Sequence, residues 1–217
     1  MNPPRWSEIL LRRLLRDRDR DTISGDLLEE YRDVAAPTLG TGRARWWYRR
    51  QVAGFVWRAL RMPALIGCAF GAVLGVMTLI DTAREPLADD AVTMTLAWVG
   101  VVGLLWSAAT VAVTWRTRRM SDAITVGAVL GVMALAVFQL AAIVRVNVFL
   151  DTIQHRDDWR NLVARFNQSG FHSLRAYANY EYAVMMTPIL LAVGAIAGSI
   201  CGMMGAIVHK MRQGLEG

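Results

Sequence analysis

Charged and apolar residues are segregated along this chain. Met62–Ile80, Ala91–Val113, Ala123–Val144 and Val184–Val208 contain no Asp, Glu, Lys or Arg. Each runs roughly 19 to 25 residues, long enough to cross a ~30 Å hydrocarbon core as a helix. The pattern predicts an all-α, polytopic membrane protein with four transmembrane helices and, before them, a charged N-terminal headpiece, residues 1–61.

Within the headpiece the pattern predicts three helices. Pro3-Pro4 suits a helix start, because proline at the first helical position gives up no internal hydrogen bond. The following "WSEILLRRLL" places Trp6, Ile9, Leu10 and Leu14, with Leu11 beside them, on one face. "RDRDRD", Arg16 to Asp21, alternates in sign and reads as a solvated turn, with Asp21 as the N-cap of the second helix. In that helix Ile23, Leu27, Tyr31 and Ala35 recur every four residues, and Gly25 weakens it or lets another helix approach closely. Pro37 and "TLGTG" end it. A third helix is expected from Arg43 to Arg61. Its Trp46, Trp47, Tyr48, Arg49 and Arg50 have the composition of a membrane-interface helix, with rings at headgroup level and guanidinium groups on lipid phosphates. Such a helix is either a plain juxtamembrane anchor or one that also packs on the first two helices and passes movement into the first span.

Charge placement then orients the chain. There are 24 Lys and Arg against 18 Asp and Glu, a net charge of +6. A basic chain raises the possibility of nucleic acid, but these charges flank the apolar segments, where they set topology. Arg43, Arg45, Arg49, Arg50, Arg58 and Arg61 precede the first span, and Arg116, Arg118 and Arg119 fill the link between the second and third. Lys210 and Arg212 follow the fourth. The 81–90 link, "DTAREPLADD", is mainly acidic. The expectation is an inner-membrane protein with both termini and the 114–122 link in the cytoplasm and the 81–90 and 145–183 loops outside. Residues 1–20 lack the apolar core of a cleavable signal peptide. The two cysteines, Cys68 and Cys201, fall inside spans and read as small packing residues.

Glycine spacing adds a packing expectation. Gly67, Gly71 and Gly75 recur every four residues in the first span, Gly127 and Gly131 in the third, and Gly194, Gly198 and Gly202 in the fourth. Residues four apart share a helix face, and glycine lets backbones approach where lipid supplies no hydrophobic drive. These faces join the bundle to itself, to a second copy or to a partner's helices. "GAVLGVM" occurs at Gly71–Met77 and again at Gly127–Met133, which is either chance or the mark of a parallel duplication. Gln139, the strongly polar residue inside a span, is expected to hydrogen-bond to a neighbouring helix.

The long outer loop carries a further amphipathic pattern. Asp157 or Asp158 would cap a helix that aligns Trp159, Leu162, Val163 and Phe166 and stops at Gly170. Tyr177, Tyr180 and Tyr182 would lie at the outer interface. The loop reads as a small cap or as a docking surface for an extracytoplasmic partner.

Chemistry-bearing motifs are lacking. There is no GxxxxGK[ST], HExxH or CxxC. His155, Asp157, Asp158 and His172 match no metal-site spacing, and His155, His172 and His209 support no catalytic triad. Glu29-Glu30 reads as a solvated helix face. No catalytic residue, metal, cofactor, nucleic acid or small-molecule substrate is assigned, and an enzyme is not expected.

The headpiece resembles the permease prefix domain of the second type, found in front of some bacterial ABC transporter permeases. The residues that carry the resemblance are Pro3-Pro4-Arg5-Trp6, Arg18-Asp19-Arg20, Gly25-Asp26-Leu27, Glu29-Glu30-Tyr31-Arg32, Ala44-Arg45, Trp47-Tyr48 and Arg50-Gln51, spread over about residues 3–60. It implies a small cytoplasmic helical module tethered to a permease, and it brings no catalytic residues. Here four short-looped spans follow in place of a full permease. The expectation is an accessory or regulatory subunit of a transport complex. Asp26, Glu29, Glu30, Tyr31 and Arg32 would bind a membrane-protein partner, or the chain would pair with itself. The alternatives are a signalling protein that holds a cytoplasmic regulator, and a small dimeric transporter.

Overall fold

The computed structural model describes residues 4–14, 17–85, 92–115 and 119–215. Pro3, Arg16, residues 86–91 of the link and second-span start, and Arg116 and Arg118 lie outside the described residues. The elements are α1 (Arg5–Leu14), α2 (Asp17–Glu30), a π turn (Tyr31–Ala35), α3 (Ala36–Arg84), α4 (Val92–Thr114), α5 (Met120–Ile153), a 3-10 turn (Asp157–Trp159), α6 (Arg160–Ser169), α7 (Leu174–Asn179), a second π segment (Tyr180–Met186) and α8 (Thr187–Leu215). No strand occurs among the described residues, so the chain is all-α. It divides into two compact units, Met1–Met62 and Pro63–Gly217.

In the first unit α2 starts at Asp17, so Asp17 to Asp21 are helical, in place of the expected turn, and Asp21 is not a cap. The apolar repeat of four then meets a geometric problem. Positions four apart advance by about 400°, so the stripe drifts ~40° per step around an α-helix. The wide π turn at Tyr31–Ala35 takes back that drift and keeps Leu27, Tyr31 and Ala35 in one buried cluster. Pro37 does not end the helix. The break comes at Gly40, whose φ of 71° and ψ of 163° belong to a region essentially reserved for glycine.

The headpiece core is Leu11, Leu27, Tyr31, Ala35, Ala36, Ala44, Tyr48 and Val52, so residues of all three headpiece helices share it. Helix α1 enters through Leu11 and Ser7, which lie four apart. Trp6, Ile9 and Leu10, which the sequence placed on one face with Leu11 beside them, are exposed. An amphipathic pattern defines a stripe, and burial of one edge of it by Leu11 has turned the other edge outward.

Among the described residues three helices are long and apolar enough to cross a membrane, within Thr22–Arg84, Met120–Ile153 and Leu174–Gly214, with a shorter apolar stretch at Gly100–Thr114. Helix α5 has 34 residues, about 51 Å at ~1.5 Å per residue. It runs through Arg145 to Ile153, where a loop was expected to have begun. Its last turns build a second core: Val146, Leu150 and Ile153 pack with Trp159, Leu162, Tyr177 and Ala178, and Phe149, Phe166, Leu174 and Tyr182 lie against them. Gly170 ends α6 at φ 72°. Asp157 and Asp158 sit in the 3-10 turn and provide no helix cap. Asp158 instead takes a hydrogen bond from Arg156 Nε at 3.1 Å, and Asp157 pairs with Arg160.

Both π segments end two residues before a proline, Pro37 and Pro188. Proline offers no N–H, and its ring crowds the carbonyl four residues back. A wider turn ahead of it relieves that crowding, and in each π segment a threonine hydroxyl donates to one of the segment's own carbonyls. Thr38 donates to the Val34 carbonyl, and Thr187 donates to the Tyr182 carbonyl at 3.0 Å.

Candidate functional site

Three sets of residues carry the sequence expectations. In the headpiece, Asp26, Glu29, Glu30 and Arg32 are exposed along the α2 end and the π turn. Tyr31 is a correction. It is fully buried and meets Tyr48 edge-on, with ring centroids 5.5 Å apart. Tyr48 is buried too and Trp47 half-buried, so neither belongs to an exposed interface as expected. The reason is spacing: Ala44, Tyr48 and Val52 recur every four residues and supply the inner face of α3, which leaves Trp46, Arg49 and Arg50 outside. Arg50 lies over the Trp46 ring at 5.7 Å, and Arg49 lies over Trp6 of α1 at 5.6 Å.

The second set is the glycine seam of the membrane-length helices. All eight glycines are buried. A Cβ added to Gly67 or Gly71 would strike the carbonyl of Leu130 or Ala134 on α5, and one on Gly75 would stand 2.5 Å from Ala141 Cβ. The other face of α5 meets α8. Gly127 opposes the Gly198 carbonyl, Gly131 opposes that of Gly194, and Gly202 opposes that of Ala123. Helix α5 is thus gripped from both sides. Gly205, outside the expected set, meets Thr114 and Val111 of α4 in the same manner. The two "GAVLGVM" copies make different contacts: Gly71 lies on α5, whereas its counterpart Gly127 lies on α8. A parallel duplication would put equivalent glycines on equivalent neighbours, so the contacts give it no support.

The helices do not close completely. A cavity of about 180 Å³ lies among α3, α4, α5 and α8, lined by Phe70, Leu74, Val102, Trp106, Leu135 and Ala197 with adjacent small residues. The Trp106 indole nitrogen is buried with no hydrogen-bond partner among the described residues.

The third set lies where α5 meets α7 and the second π segment. Gln139 donates to the Tyr182 carbonyl at 2.6 Å, the interhelical bond that its position suggested. Eight residues further on, Asn147 and Asn179 exchange amide hydrogen bonds at 2.7 and 3.0 Å. Sequence reasoning missed this pair, whose partners are 32 residues apart with no local pattern linking them. Tyr182 stacks on Trp159 at 6.0 Å, while Tyr180 is exposed beside Phe171 at 5.5 Å. Arg165 pairs with Glu181 at 2.7 Å, and its hydrogen bond to Tyr177, with Glu181 adding to it, raises its pKa above the ordinary arginine value.

Among the described residues no group of three or more His, Cys, Asp or Glu gathers into a metal site. Cys68 and Cys201 are free thiols. No protein-family model, curated protein or solved structure matches the chain.

Proposed function

We propose that this chain is an integral inner-membrane accessory or regulatory subunit of a transport complex, engaging its partner through the headpiece. In this reading α4 is a fourth span beside the three long apolar helices, both termini are cytoplasmic, and the cap built on the end of α5 is extracytoplasmic. The headpiece is taken as a permease-prefix-like module, on the resemblance of residues 3–60.

The observation that carries the reading is the division of labour in the headpiece. Its core is closed by Tyr31 and Tyr48 against small and aliphatic residues, so it needs no partner to bury them. Its α2 end nonetheless presents Asp26, Glu29, Glu30, Arg32 and Asp33 to solvent. A self-sufficient core with a dense polar face is what a docking module requires. The membrane segments support the same view. They contain no Asp, Glu, Lys, Arg or His in 62–80, 91–113, 123–144 or 184–208, where an ion or proton path would place one.

The test is a mild-detergent pull-down from native membranes of the full chain, a Glu29→Lys/Glu30→Lys variant and a form lacking residues 1–60. Capture of a membrane permease or its ATPase by the full chain, and its loss from both altered forms, is the expected result. Capture of a soluble regulator instead would replace this reading with the signalling one. Recovery of the chain alone would overturn partner docking and direct attention to solute movement by a reconstituted dimer.

A further inference from the structure

The cavity among α3, α4, α5 and α8 lies at one depth in all four helices. Its wall takes Phe70 and Leu74 from α3, Val102 and Trp106 from α4, Leu135 from α5 and Ala197 from α8. Each belongs to the middle of its charge-free segment. Leu74, the one nearest an end, is still six residues from Ile80, roughly 9 Å along a helix. A bundle that crosses a bilayer on these four segments holds the cavity near the midplane, the depth at which membrane transport proteins place their substrates.

One wall residue is out of character there. Tryptophan favours the membrane interfaces, and a buried indole N–H ordinarily finds an acceptor. The Trp106 indole nitrogen is buried and has no hydrogen-bond partner among the described residues. At the midplane no bulk water replaces that partner. A trapped water would need two to four polar partners, and the other wall side chains are hydrocarbon or glycine. A lipid acyl chain fills apolar space but carries no oxygen at that depth.

Size and chemistry narrow the occupant further. An apolar cavity of about 150 Å³ takes up one benzene-sized molecule, and this one measures about 180 Å³. No charged side chain lies in the four segments, so a charged ligand would go unpaired. We propose that the cavity is a binding site for an uncharged, ring-sized lipophilic molecule bearing a carbonyl oxygen, a cyclic ketone or quinone ring, which accepts a hydrogen bond from the Trp106 indole. The apolar wall supplies affinity and the indole supplies selection for the oxygen. The inference rests on the membrane placement in the proposed function and not on the headpiece's partner.

The test uses the full chain in phosphatidylcholine nanodiscs with nitrogen-15 in its tryptophan indoles. The eight tryptophans give eight indole signals, and Trp106→Phe identifies the one concerned. Cyclohexanone and methylenecyclohexane are the probes, alike in shape and differing in the carbonyl oxygen. Cyclohexanone is expected to move the Trp106 indole proton downfield saturably, with no such change at exposed Trp46 and Trp57, and methylenecyclohexane is not. Gly103 lies in the wall, and a Cβ added there meets nothing within 4 Å, so Gly103→Leu should fill the space and abolish the shift while the other indole signals stay in place. No saturable shift at Trp106, or a shift that persists in a folded Gly103→Leu protein, would overturn the proposal. An equal response to both probes would assign the cavity to hydrocarbon, such as an acyl chain, and overturn it too. The two-probe comparison needs no variant beyond the assignment, so a Gly103→Leu protein that fails to fold leaves the proposal open to refutation. The probes leave the α2 carboxylates untouched, so this site and the docking reading can fail separately.

Discussion

Gly127 and Gly198 oppose each other reciprocally: a Cβ on either would strike the carbonyl oxygen of the other, and one on Gly127 would also stand 3.1 Å from Gly202 Cα. Both obstacles are backbone, so no rotamer change relieves them. Overpacking costs about 1–3 kcal/mol where side chains can adjust, and the cost lies at the upper end or beyond it here. Gly127→Leu and Gly198→Leu are expected to lower the thermal midpoint in detergent sharply and to broaden the size-exclusion peak. Gly71→Leu, against the Ala134 carbonyl, should do the same. Gly103→Ala, with nothing within 4 Å of its added Cβ, is the matched control and should be tolerated. Unchanged melting of the three leucine variants would refute the seam.

The edge-on pair of Tyr31 and Tyr48 makes a second prediction. Truncating a buried aromatic costs about 3–5 kcal/mol, a large part of what a core of eight buried residues can supply. Tyr31→Ala and Tyr48→Ala should each make the headpiece of the full-length protein sensitive to limited proteolysis. The double variant should lose less than the sum, because the two remove one shared contact. Tyr31→Phe should be neutral or stabilising, since its buried hydroxyl has no partner among the described residues. Trp46→Ala, at an exposed position, should shift headpiece stability by less than about 0.5 kcal/mol. A headpiece indifferent to Tyr31→Ala would contradict the burial.

Gln139 and Thr187 both donate to the Tyr182 carbonyl, at 2.6 and 3.0 Å. With one donor removed the other remains in place, so Gln139→Leu alone should cost about 0.6–2 kcal/mol, the range for interhelical hydrogen bonds in membranes. Thr187→Val alone should cost less. The double variant should cost more than the two together. A double-mutant cycle from reversible unfolding in detergent measures the coupling, and strict additivity would count against a shared acceptor.

The proposed topology has its own check. In a background free of Cys68 and Cys201, a cysteine at Asn2 should resist a membrane-impermeant maleimide in intact cells and react after permeabilisation. A cysteine at His155, exposed between α5 and the 3-10 turn, should react in intact cells. The reverse pattern would invert the orientation derived from the arginines.

Apolar length and glycine spacing were readable because both are local properties of the chain. A run without charge sets where a helix can lie in hydrocarbon, and glycines four apart share a face whatever lies opposite. The stop at Gly170 was equally local, as a left-handed residue there needs no distant partner. The partners of those faces were not legible. That α5 uses both sides, one for Gly67 and Gly71 and the other for Gly194 and Gly198, follows from how the helices assemble. Ambiguous residues fell to tertiary structure for the same reason. Tyrosine and tryptophan suit a core, an interface or a docking face, and only the neighbours in space put Tyr31 and Tyr48 inside while leaving Trp6 and Trp46 out. Polar pairs distant in sequence, such as Asn147 with Asn179, leave no periodic trace, because the bond between them exists only after the backbone has brought α5 and α7 together.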